Sequence, residues 1–246
     1  MRVIRTENYE QVSRKAADLI AAQVQLKPDC VLGLATGSSP EGAYAVLAEK
    51  CRAGEVDFSQ VKTVNLDEYV GLAPDHTQSY ARFMRVHLFD HVNIDQHNCH
   101  IPSGLMTDPE AACADYDRLI RSLGGTDLQL LGIGPNGHIG FNEPDEAFIP
   151  QTHCVQLTDA TIDANARFFA SRDEVPKQAY TMGIWGIMQA RRVVLVASGA
   201  GKAQAVRDAF TGPITPKVPA SILQLHPDFT LIADEAALSL ALAKGL

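Results

Sequence analysis

No stretch of this 246-residue sequence carries an apolar run approaching the ~20 residues that a membrane-spanning helix requires. The amino-terminal segment MRVIRTENYEQ lacks the continuous apolar core of a secretory signal, because its apolar and charged residues alternate. Cysteine is sparse: Cys30, Cys51, Cys99, Cys113 and Cys154 are odd in number, widely spaced and never in a C-x-x-C pair. That pattern suits reduced thiols in a cytoplasm better than a disulfide framework. Basic residues are outnumbered, and the formal charge of −8 argues against a nucleic-acid surface, which needs clustered Lys and Arg. A small phosphorylated ligand is still compatible, since it needs only one or two local cations and a helix N-terminus. No repeat, low-complexity tract or Gly/Ser linker interrupts the chain. Residues 1–246 are therefore read as one domain, with neither membrane nor nucleic acid as partner.

What is present is ordinary globular composition, 46% hydrophobic and 20% charged, enough for a substantial core. Short apolar runs read as strands: RVIR, CVLGLAT, VKTVNL, LQLLGIG, HCVQLT, RVVLVAS and FTLIAD. Between them lie helical patterns, the first with Val12, Ala16, Leu19, Ile20 and Val24 on one face. The others are PEGAYAVLAEKC, QSYARFMRVHLFDHV, PEAACADYDRLIRSL, GKAQAVRDAF and EAALSLALAK. Nearly continuous apolar strands, alternating with helices, predict a three-layer, Rossmann-like α/β fold. Its mostly parallel sheet is covered by helices on both faces. Ligands of such sheets gather beyond the carboxyl ends of the strands. Polar segments, three of them glycine-bearing, follow four of the strands: Thr36-Gly37-Ser38-Ser39, Asp67-Glu68-Tyr69, Asn136-Gly137-His138 and Ser198-Gly-Ala-Gly-Lys202.

Gly132-x-Gly134-x-x-Gly137 has dinucleotide-fingerprint spacing, but that fingerprint needs a helix to open directly after it. Gly140, Pro144 and Pro150 make such a helix improbable, and TDAT around Asp159 reads as a helix cap. GLATGSSPEGAYAVL is the better anion cradle. Pro40 suits the first position of a helix, and Ser38 or Ser39 could cap it, Ser38-x-x-Glu41 having capping-box spacing. GxxxxGK[ST] is absent, so this is no Walker A loop, and a plain capped turn fits the segment equally well. Asp67 directly follows the apolar VNL run, where partial desolvation would raise its pKa toward that of a useful base. His138, flanked by glycines with Asn136 and Glu143 nearby, is an acid/base candidate. Arg167 and Lys202 are cations at helix starts on the same edge and could complete an anion pocket. HNCH (His97 to His100) has no second cluster at zinc-type spacing, and no metal is expected. Trp185 and the Phe168–Phe169 pair read as core or pocket-lid residues.

Taken in order, LATGSSP, NLDEYVGL, GIGPNGHIGFNEP, NARFF, SGAGKA and PASILQLH resemble the glucosamine-6-phosphate deaminase family, from about Val31 to Asp234. The most specific parts are NLDEYVGL and NGHIGFNEP. The related 6-phosphogluconolactonases continue their glycine-His block toward Ser-Leu-Phe, whereas this chain reads FNEP. The resemblance implies conversion of glucosamine 6-phosphate and water to fructose 6-phosphate and ammonia. It implies Asp67 as the base moving a proton between C2 and C1 through an enolamine, and His138 as the group assisting ring opening. Glu143 and Asn136 would sit around His138. Thr36, Gly37, Ser38 and Ser39, with Arg167 and Lys202, would hold the phosphate, and residues 157–180 would form a lid. The substrate's own ammonium stabilises the carbanion-like transition state, so neither cofactor nor metal is expected.

Two departures stand out. Many members carry Asp where this chain has Asn136; an amide can orient an imidazole but cannot stabilise its cation by charge. Allosterically activated members hold an effector phosphate with basic residues just after the FNEP block. Here His153 and Val155 occupy those positions, so no activation by N-acetylglucosamine 6-phosphate is expected. Three other readings compete: a deaminase for the C4 epimer galactosamine 6-phosphate, a lactonase on the same fold, and a sugar-phosphate sensor without turnover. No hydrophobic stripe decides between monomer and homo-oligomer.

Overall fold

Alternate residues along each central strand face opposite helical layers, which is why these strands are mostly apolar. The computed structural model describes the backbone of residues 1–246 and every side chain except those of Ala160, Ala164 and Phe168. The expectation for Phe168 therefore lies outside the described residues. The first half of the chain runs β1 (Arg2–Thr6), α1 (Tyr9–Leu26), β2 (Val31–Leu34), α2 (Ser38–Arg52), β3 (Lys62–Asn65), β4 (Asp67–Tyr69), α3 (Tyr80–His87), β5 (Cys99–His100) and α4 (Pro109–Ser122). It continues β6 (Leu128–Leu131), β7 (His153–Gln156), α5 (Asp159–Asn165), β8 (Gln178–Thr181), α6 (Ile184–Met188), β9 (Arg192–Ala197), α7 (Ala203–Thr211), β10 (Phe229–Asp234) and α8 (Glu235–Leu242).

Seven strands form one sheet in the order β1-β10-β9-β6-β2-β3-β5, with every pairing parallel. On one face Leu32, Leu34, Leu130, Val194 and Ile232 pack under α1, α2 and α3. On the other, Val31, Val64, Leu131, Leu195 and Leu231 pack under α4, α6, α7 and α8. Each fully buried Leu or Ile contributes about 2 kcal/mol. In α1 the expected face is the buried one: Val12, Ala16, Ile20 and Val24 are buried, and Asn8 caps the helix by accepting from the Gln11 amide at 3.0 Å. No helix of the described residues is long and apolar enough to cross a membrane. All five cysteines are unpaired.

The structure corrects several element boundaries. α2 begins at Ser38, two residues before Pro40, with Gly37 at the cap position and no side-chain cap bond, so neither serine caps it and the capping box does not form. α3 stops at His87, with a 3-10 turn over Phe89–His91. HCVQLT (β7) leaves the main sheet and joins a second, antiparallel one of order β4-β8-β7. The strands β4, β5 and β8 and the helix α6 lay unrecognised in the sequence, and of α5 only the cap was legible, Thr158 accepting from the Thr161 amide. Asp-Glu-Tyr reads as a charged turn, yet pairing of Asp67 with Thr181 and of Glu68 with Tyr180 makes it a buried strand. Trp185 is 46% exposed and is not a core residue; the first turn of α6 points it outward. No helix follows Gly137 until α5, so the dinucleotide geometry does not form.

Candidate active site at the sheet switch point

From β2 the chain winds outward through β3 to β5, then returns to lay β6 on the other side of β2. The connections after β2 and β6 therefore diverge, which opens a crevice at the carboxyl ends of these strands. A cleft of about 350 Å³ lies there, with Thr36–Ser39 on one wall and the Gly132–His138 loop on another.

The first wall follows from the backbone. Gly37 precedes a 15-residue helix whose opening amides receive no side-chain cap among the described residues. A helix N-terminus with free amides carries a partial positive charge and favours an anion. Lys202 reaches the cleft from the turn after β9, its Nζ donating to the Ile133 carbonyl at 2.6 Å, and burial lowers its pKa. That turn is tied down by Asp234, the cap of α8, whose carboxylate accepts from the Gly199 amide at 3.0 Å and from the Ser198 hydroxyl. Arg167 also lines the cleft. The sequence-predicted anion residues thus all line the one cleft.

Asp67 stands where the chain changes sheets. Leu66 still donates to Leu34 in the main sheet, and Asp67 is the first residue paired with β8. Its side chain is delivered to the cleft yet buried, with 6% of the residue exposed. Burial, and after it the neighbouring Glu68 carboxylate, push the Asp67 carboxyl up to about 8. Glu68 points elsewhere: its carboxylate accepts from the amides of Tyr69, Tyr80 and Ala81 at 2.8 to 2.9 Å and anchors the start of α3. Tyr69, Tyr80, Phe141 and Phe169 form the apolar cluster alongside, with Tyr80 stacked on Phe141 at 6.0 Å.

His138 comes from the loop after β6, and two glycines set its place. A Cβ on Gly134 would lie 2.2 to 2.4 Å from the His138 ring, and one on Gly140 would lie 3.4 Å from the Asp67 carboxylate. Only bare backbone lets the loop fold so tightly over its own imidazole, and at Gly140 a φ of +58° favours glycine. Glu143 Oε2 is 3.6 Å from His138 Nδ1, an ion-pair distance that is too long for a hydrogen bond. Glu143 is engaged at both oxygens. Asn136 Nδ2 donates to Oε2 at 2.8 Å, and the Thr161 hydroxyl of α5 donates to Oε1. Burial pushes the Glu143 carboxyl up, but His138, Thr161 and Asn136 outweigh it and hold it at about 2.

Asn136 is a correction to the expected arrangement. Its amide does not touch the imidazole; it donates to Glu143, while its carbonyl accepts from the His138 backbone amide at 3.2 Å. Glu143 is the carboxylate that faces the ring, and Asn136 acts on Glu143. Tyr80, Phe141, Thr161 and Asn165 also line the cleft and were missed. Asn165 lies inside NARFF and could have been found there; Thr161 sits in a stretch that reads only as a helix start.

An uncapped helix, a buried carboxylate and a histidine–carboxylate pair around one switch-point crevice mark an α/β protein built for acid–base chemistry on a small anion. The chain belongs to the glucosamine-6-phosphate isomerase/6-phosphogluconolactonase family, whose sequence model matches residues 5–231. It is 60% identical to a glucosamine-6-phosphate deaminase of Lachnoclostridium phytofermentans, covering 94% of this chain and 98% of that one. Identity to the deaminase of Thermoanaerobacter pseudethanolicus is 55%, over 98% and 95% of the two chains. A solved monomeric glucosamine-6-phosphate deaminase superposes with TM-score 0.95 at 47% identity, covering 98% of this chain and all of that one. A 6-phosphogluconolactonase from Trypanosoma cruzi shares the fold, with TM-score 0.78 at 17% identity over 97% and 96% of the chains.

Proposed function

We propose that this protein is a glucosamine-6-phosphate deaminase, converting glucosamine 6-phosphate and water to fructose 6-phosphate and ammonia. The observation that carries the chemistry is the pairing, in one cleft, of a buried Asp67 at about 8 with His138 and its carboxylate Glu143. Proton transfer beside an imine-like carbon needs a carboxylate with a raised pKa, and ring opening needs a separate acid/base. The phosphate sits against the α2 N-terminus at Thr36, Gly37, Ser38 and Ser39, with Arg167 and Lys202 supplying charge. That anchor lays the sugar across the cleft. His138, held by Glu143, exchanges the proton at the ring oxygen and opens the ring. Asp67 takes the C2 proton, giving an enolamine, and returns it to C1. Water then adds at the imine carbon C2, and ammonia leaves. The ammonium on C2 favours the ionised Asp67 once substrate is bound. Residues 157–180 act as the lid, carrying Thr161, Asn165 and Arg167 onto the cleft and excluding water from the enolamine.

The test is incubation with glucosamine 6-phosphate while ammonia and fructose 6-phosphate are measured. Stoichiometric release of both supports the reading. Binding without release favours a sensor. Faster turnover of galactosamine 6-phosphate or of 6-phosphogluconolactone assigns the epimer or the lactonase activity instead.

A further inference from the structure

The Glu143 carboxylate is held from two directions of different origin. Asn136, which bonds Oε2, belongs to the same loop and moves with it. Thr161, which bonds Oε1, lies 18 residues further on in α5. Its hydroxyl also accepts from the Thr158 hydroxyl at 3.1 Å, and Thr158 is the N-cap of α5. Donor feeds donor, so each bond in the row Thr158, Thr161, Glu143 polarises the next. Thr161 is 6% exposed, and its neighbour Ile162 packs into the cluster of Tyr69 and Phe141. The Asn165 amide closes the turn by donating to the Thr161 carbonyl at 2.9 Å. The place of α5 over the cleft therefore decides whether Oε1 has its donor.

We propose that Thr161 is a positioning residue of the ring-opening pair, an inference that rests on the deaminase reading. Its hydroxyl fixes the Glu143 carboxylate, and through it the His138 ring, only while α5 covers the cleft. A carboxylate bonded at both oxygens cannot turn about its terminal torsion; one bonded at Oε2 alone swings, and the imidazole 3.6 Å away loses its fixed partner. Proton exchange at the ring oxygen is thereby tied to closure of the segment that shields the intermediate. Removing the donor also leaves burial less opposed, so Glu143 protonates at a higher pH than its present value of about 2.

Thr161→Val keeps the shape and removes the hydroxyl, and Thr161→Ser keeps the hydroxyl. In the valine variant kcat falls about tenfold while KM for glucosamine 6-phosphate stays within about twofold. The acid limb of its kcat–pH profile moves upward, and the serine variant restores both. Wild-type kcat and profile in Thr161→Val, or equal impairment of the serine and valine variants, would overturn the role. Titration of the Glu143 side chain by NMR on 13C-Glu-labelled protein separates this inference from the deaminase reading. Should the wild type release no ammonia, that reading fails alone, whereas a Glu143 titration identical in wild type and Thr161→Val overturns the positioning role whatever the activity.

Discussion

Replacing Asp67 by Asn should make the protein more stable and nearly inactive, with the stability gain growing as pH rises. A carboxyl that titrates at about 8 in the folded chain and at 3.8 when unperturbed disfavours ionisation in the fold by on the order of 5 kcal/mol. Between those two values the folded chain holds a proton that the unfolded chain has lost, so stability falls as pH rises from about 4 to about 8. At pH 5 the folded wild-type group is neutral but its unfolded counterpart is already ionised, so the gap to Asn, similar in shape, should be only about 2 kcal/mol. At pH 9 the wild type carries a buried charge and the variant does not, so the gap should reach several kcal/mol. Glu68, also raised by its burial, is present in both proteins, and its repulsion of an ionised Asp67 is part of the gap at high pH. Glu143 titrates near 2, below this window. Urea unfolding of both proteins at pH 5, 7 and 9 reads the gap directly, and a gap independent of pH would refute the desolvated base. Turnover completes the test. Wild-type kcat/KM should climb with pH to a limb near 8, and the kcat limb should lie lower because bound ammonium favours the carboxylate. Asp67→Asn should lose about a thousandfold in kcat while retaining substrate binding by calorimetry.

Three further outcomes are expected. Lys202→Ala should raise KM for the phosphorylated substrate about tenfold and weaken competitive inhibition by inorganic phosphate; unchanged inhibition removes Lys202 from the anion site. Gly134→Ala drives a Cβ to within 2.4 Å of the His138 ring, so kcat should fall about a hundredfold with the circular dichroism spectrum intact; wild-type turnover would show that the ring has room to move. N-acetylglucosamine 6-phosphate should leave the substrate saturation curve in place. The cavity behind Glu143 is lined by Asn142, Asp145, His153, Val155 and further apolar side chains, with neither Lys nor Arg, and a leftward shift would contradict this.

Much of the site was readable because the main sheet obeys local rules. Runs such as VLGL and VVLVA have no polar side chain, so they call for cover on both faces and a mostly parallel sheet. Asp67 and His138 could be singled out because each follows such a run. What could not be read was where each side chain ends up once a second sheet forms. β4 is three residues, Asp-Glu-Tyr, and carries no strand signal of its own; its partner β8 lies more than a hundred residues away. Pairing between them splits two adjacent acids, sending Asp67 to the cleft and Glu68 to the start of α3. The family resemblance sets Asn136 beside the imidazole, but the loop turns its amide onto Glu143.

The sequence by itself determined the layered α/β architecture, the crevice edge and the residue types gathered there, because hydrophobic periodicity and glycine-bearing turns act over a few residues. Tertiary structure alone decided which of those residues touch. The raised Asp67 pKa comes from packing between two sheets, and the depressed Glu143 pKa from donors that α5 and the Asn136 loop bring together. Desolvation and hydrogen bonding are properties of a neighbourhood in space. Thr161, invisible as a motif, has its place at the site because a helix folded 18 residues downstream lays its hydroxyl on Glu143.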